Sequence, residues 1–161
     1  MIESWDSFFV AETAAAAALL GLMFVAVSIN LKQVIESGGL ADRALSALGL
    51  LLAILLAGLL LAMPGQGPAV LGSEAIVVAL AAAAVTTVLG LRGLKAAEAE
   101  FRGNFARSLG TNFVALAPIA IGGALLVAGN ETGLYWIAVG MCLTILKAVT
   151  EGWIFLVEIN R

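Results

Sequence analysis

Five long apolar runs, separated by short polar punctuation, make up most of this chain. They fall at about residues 8–31, 44–63, 73–94, 109–128 and 134–158, each near the roughly 20 residues an α-helix needs to cross a bilayer. The pattern predicts an all-α fold, a polytopic membrane protein built as a bundle of five transmembrane helices in a single domain. The punctuation supports it. Lys32 to Arg43 combines charge with a Gly-Gly break and reads as an aqueous loop, MPGQGP at 63–68 holds two prolines and two glycines, and GNETG at 129–133 reads as a tight turn. Ser73 is the expected N-cap of the third helix, with Glu74 at the positive end of its dipole. Pro118 removes the donor to the Val114 carbonyl and is expected to kink the fourth helix.

The one charge-rich stretch is RGLKAAEAEFRGNFAR, 92–107. Leu94, Ala97, Phe101 and Phe105 recur at helical spacing among charged residues, which suits a cytoplasmic amphipathic connector on the membrane surface over about 95–108. A solvated connector fits the same residues. The acidic opening MIESWDSFF lacks the basic region of a signal peptide, so the first run is expected to be a retained helix.

Small residues recur along the runs. Gly49, Ala53 and Ala57 line one face of the second, Ala82, Thr86 and Gly90 one face of the third. On the first, Ala14, Ala17, Gly21 and Ser28 lie opposite Glu12, Ala16, Leu19, Met23, Ala26 and Asn30. Such ridges let helix backbones approach closely in lipid. They exceed what one five-helix bundle needs, so a homo-oligomer is expected.

Composition narrows the function classes. The chain is 62% hydrophobic and 12% charged, against about 45–50% and about 25% in soluble domains. With no histidine and one cysteine, Cys142, a zinc site or a Cys/His hydrolase lacks its parts, and neither a cofactor nor an enzymatic activity is expected. A net charge of -3 without a basic tract argues against a nucleic-acid partner. The basic residues choose an orientation: an external N-terminus places Lys32, Arg43, Arg92, Lys95, Arg102, Arg107 and Arg161 on the cytoplasmic side, with the C-terminus. Trp5, Tyr135 and Trp136 then mark the outer interface and Trp153 the inner one.

Candidate chemistry concentrates on the last helix. Trp136, Gly140, Thr144, Lys147, Glu151 and Glu158 project as one stripe, and Lys147 and Glu151 are spaced i,i+4 at membrane depth. Either the two neutralise each other as a buried pair, or the stripe lines a hydrated ion path. A stripe that docks another membrane protein is a third reading. Glu12 lies about 6 Å below Phe8 and Lys147 about 20 Å below Leu134, so the two are not expected to pair within one subunit. Glu12 is read either as an acidic ring at the outer mouth of an oligomer or as a shallow glutamate reaching water. Asn30 lies closer to the depth of Glu151, where it caps the first helix or hydrogen-bonds across the bundle. The ion pathway expected from these residues comprises Lys147, Glu151, Thr144, Glu158, Glu12 and Asn30, in an oligomeric channel. The alternative is a non-conducting regulatory or assembly subunit of a larger membrane complex.

The run AAAAALLGLMFVAVSINLKQVI, then ADRA, PGQGP, LGSE and the closing FLVEINR, resembles a group of small bacterial membrane proteins, some of which carry the label of modulator of FtsH protease. The resemblance implies a multi-pass protein of the bacterial inner membrane that binds or restrains a membrane-anchored protease. It carries no functional residue across.

Overall fold

Each apolar run forms one long helix in the computed structural model, which describes residues 5–36, 40–96 and 102–159. The elements are α1 Asp6–Ile29, α2 Leu31–Glu36, α3 Leu40–Leu61, α4 Pro68–Ala96, α5 Arg102–Val127 and α6 Gly133–Ile159. All except α2 are long and apolar enough to cross a membrane, and the described residues contain no strand. The protein is an all-α, polytopic membrane protein.

Four of the helices close a ring, in which α3 packs on α4, α4 on α5, α5 on α6 and α6 back on α3. α1 leans on the outside of α3 and touches α6 only lightly. Burial follows this arrangement: 56% of the spanning window of α3 is buried, against 11% for α1. The ring interior holds Leu50, Ile54 and Leu61 of α3, Leu71 and Ala79 of α4, Ile119 and Leu126 of α5, and Leu134, Ile137 and Met141 of α6, all nearly inaccessible.

In lipid, where burial from water drives little helix association, close backbone approach and dispersion do the work. Gly72 of α4 and Gly123 of α5 face each other so closely that a Cβ on Gly123 would lie 2.6 Å from the Gly72 carbonyl oxygen. Gly122 and Gly133 make the same kind of contact between α5 and α6. The ridges read from the sequence divide between two fates. Ala53, Ala57, Ala82 and Thr86 are buried within the bundle, and a Cβ at Gly49 would touch Val85 at 3.9 Å. The α1 ridge of Ala14, Ala17 and Gly21 is exposed, with nothing within 4 Å of a Cβ at Gly21.

Turn chemistry connects the helices. Gly129, at φ 79°, ends α5, with Asn130 N–H donating to Leu125 O at 2.8 Å and Gly129 N–H to Leu126 O at 3.0 Å, the paired bonds of a Schellman cap. Asn130 Oδ1 then accepts from Thr132 N–H at 3.0 Å and leads into α6. Between α3 and α4, Gly65 takes φ 81° and Gln66 donates to Glu74 Oε1 at 3.1 Å.

The local readings need three adjustments. α4 begins at Pro68, five residues before the expected Ser73 cap, because proline at a first helical turn gives up only an N–H that would have had no partner there; the Ser73 hydroxyl instead donates to Val70 O at 2.7 Å. The segment read as a loop from Lys32 contains α2, which buries Val34 while Lys32, Gln33 and Glu36 stay exposed. α4 continues through Arg92 and Lys95, and α5 starts at Arg102, so both ends of the charge-rich stretch belong to long helices; residues 97–101 of the expected connector lie outside the described residues.

Candidate functional site

The polar stripe of α6 is turned toward α5. Thr144 is fully buried, its hydroxyl donating to Gly140 O at 2.7 Å and lying 3.3 Å from Ala115 O of α5. Gly140 allows this approach: a Cβ there would sit 2.7 Å from the Ile119 backbone nitrogen. One turn further in, Lys147 and Glu151 form an ion pair, their side chains 12% and 3% exposed. α5 supplies a third member. Ser108 donates to Glu151 Oε1 at 2.5 Å and accepts from Lys147 Nζ at 3.1 Å. Each charge therefore has a partner on its own helix and a hydroxyl on the next. The trio ties α5 to α6 as an electrostatic latch.

The latch separates two spaces. On its inward side is a void of about 10 Å³ whose polar lining is Asp42, Arg43 and Ser46 of α3, Thr86 of α4, Asn112 and Ser108 of α5, and Glu151. These polar residues are buried except the half-buried Asp42 and Ser108, and Asn112 Oδ1 has no hydrogen-bond partner. On the lipid-facing side is an open cleft of about 530 Å³ between α5 and α6. Arg43, Arg107, Ser108, Lys147 and Glu151 line one end of it with Thr150 and Ile154, and Thr111, Val114, Ala115, Leu143 and Leu146 line the rest.

The other expected site residues lie elsewhere. Glu12 accepts a hydrogen bond from the Cys142 thiol at 3.1 Å, linking α1 to α6, while its Oε2 is buried without a partner. Trp5 and Tyr135 meet edge to face at 4.7 Å between the same two helices. Residues 5 and 135, and 12 and 142, share one offset, so α1 and α6 run side by side in the same direction. Glu12 is thus level with Cys142, about 7 Å of helix rise from Lys147, and the two do not pair. Asn30 donates to Ala26 O at 2.9 Å and satisfies the end of its own helix. Trp136, though on the sequence stripe, is 46% exposed. Glu158 lies in α6, and its side chain is outside the described residues.

Ser108, Arg43, Ser46, Thr86 and Asn112 were not among the residues singled out for the site. A depth count could have found Ser108: it stands six residues into α5, and Glu151 eight residues from the end of the oppositely directed α6, which places both at similar height. No protein family, curated protein or solved structure matches this chain.

Proposed function

We propose that the chain is a non-conducting membrane subunit that docks on a larger membrane complex, with its N-terminus outside and its C-terminus in the cytoplasm of a bacterial cell. The observation that carries this reading is that α5 packs over Thr144, Lys147 and Glu151 of the α6 stripe within one chain. An oligomeric channel lined by α6 would need those residues turned toward a shared axis instead. Outward of the latch, the ring interior is filled by Leu50, Ile54, Ile137 and Met141, side chains that offer an ion nothing in exchange for its hydration shell.

Docking is supported by α1, held mainly by α3 and presenting Ala14, Ala17 and Gly21 outward, a surface suited to close contact with another helix. The sequence resemblance suggests a membrane-anchored protease as the partner; a second copy of the chain is the other occupant. The deciding experiment is flux from liposomes containing the purified protein. Proton, potassium and chloride flux should stay at the level of empty vesicles. Flux that disappears in the Lys147→Met, Glu151→Leu double variant would overturn the reading in favour of conduction.

A further inference from the structure

Asn112 of α5 is 4% exposed, and its Oδ1 has no hydrogen-bond partner. An amide oxygen is a strong acceptor, and one left unanswered inside a membrane bundle is costly. The void of about 10 Å³ that Asn112 lines also meets Ser46 of α3 and Thr86 of α4, which are 8% and 2% exposed. Thr86 has already given its hydroxyl proton to Ala82 O at 2.8 Å, so toward any further partner its oxygen can only accept, while the Ser46 hydroxyl is able to donate. Size and charge decide what answers them. A buried water needs about 10–15 Å³ and two to four polar partners, so the void takes one water and no second. Asp42 and Glu151 bring two carboxylates to its surroundings, and Arg43 and the Lys147 paired with Glu151 bring two cations, a balance that favours a neutral donor over a metal ion.

We propose that this void is a binding site for one structural water, which donates to Asn112 Oδ1 and Thr86 Oγ1 and accepts from the Ser46 hydroxyl. That makes about three hydrogen bonds, the usual number for a buried water. The site has a consequence for the bundle. Its wall shares Ser108 and Glu151 with the latch, so the water extends a tie between α5 and α6 to α3 and α4, and polar contacts then join all four helices of the ring at one level. In lipid, where apolar packing alone leaves helix rotation loosely fixed, such contacts across helices set it. The site is independent of what docks on α1.

The test is magic-angle-spinning NMR of the full chain, carbon- and nitrogen-labelled and reconstituted in lipid bilayers, with magnetisation transferred from water protons. The side chains of Asn112 and Thr86 should receive it, and those of Ile54 and Ile119, buried in the apolar ring, should not. Asn112→Leu removes the acceptor with little change of shape and should abolish the transfer to Thr86; the acceptor and its water leave together, so the variant should stay folded. No transfer to Asn112 in the wild type overturns the proposal, whether or not the variant folds. Transfer to Thr86 that persists undiminished in Asn112→Leu also overturns it, because the water would then not be held by that oxygen. A sodium ion is the other occupant of this size, and the wild type should melt at the same temperature in sodium chloride as in choline chloride of equal ionic strength. A melting temperature raised by sodium in the wild type and not in Asn112→Leu would make the void a cation site and overturn the water.

Discussion

Ser108 of α5 donates its hydroxyl proton to the Glu151 carboxylate of α6 at 2.5 Å while its oxygen receives the Lys147 ammonium at 3.1 Å. A pair that one helix could have completed alone is thereby made to hold two helices at a fixed rotation. Such a contact selects one packing among the many that smooth apolar helices permit, which is the best-attested use of buried polar groups.

Removing one partner of the latch should cost far more than removing both charges. Glu151→Gln leaves Lys147 buried without its counter-charge, a loss of about 3–5 kcal/mol, whereas exchanging both members for apolar residues of similar volume is often neutral or stabilising. In thermal unfolding in detergent, Glu151→Gln should melt well below the wild type, and the Lys147→Met, Glu151→Leu double variant should recover most of the difference. A double variant less stable than Glu151→Gln would mean that the ion pair is not the source of the destabilisation.

The glycines separate contacts inside the bundle from a surface outside it. Gly123→Leu must force the α4 and α5 backbones apart at Gly72, and overpacking of this kind costs typically about 1–3 kcal/mol. Gly21→Leu meets open space and should leave the melting temperature of the isolated protein nearly unchanged, while weakening attachment to whatever helix docks on α1. Equal destabilisation by the two substitutions would contradict this placement of the helices.

The five helices were legible because each hydrophobic run is long enough to decide itself, and the Lys147–Glu151 pair because both members sit on one helix four residues apart. α2 was hidden: Val34 is the single residue it buries, too little to stand out within a charged segment. The direction of the α6 stripe was hidden as well. Periodicity places Thr144, Lys147 and Glu151 on one face but cannot say which helix will cover it. The covering depends on Gly140 admitting α5 at Ile119 and on Ser108 arriving at the right depth, relations between residues more than twenty positions apart. Ala53 and Ala57 show the same limit, since a ridge of small residues looks alike whether it faces a neighbour in its own chain or in another.

Orientation in the membrane provides the last test. The described end of the bundle that holds Arg43, Arg107 and the latch also receives Lys95 in the last turn of α4, while Trp5 and Tyr135 meet at the opposite end. Basic residues within about 15–20 positions of spanning segments are retained on the cytoplasmic side, and aromatic rings settle at either interface. On the charge asymmetry, a reporter fused after Arg161 is expected to be active only in the cytoplasm. A tag inserted at Gly65, whose Cβ position meets no neighbour within 4 Å, should be reached only from outside. If the tag at Gly65 is instead protected and the fusion after Arg161 is exported, the bundle is inverted. The latch and the cleft between α5 and α6 would then face the outer leaflet.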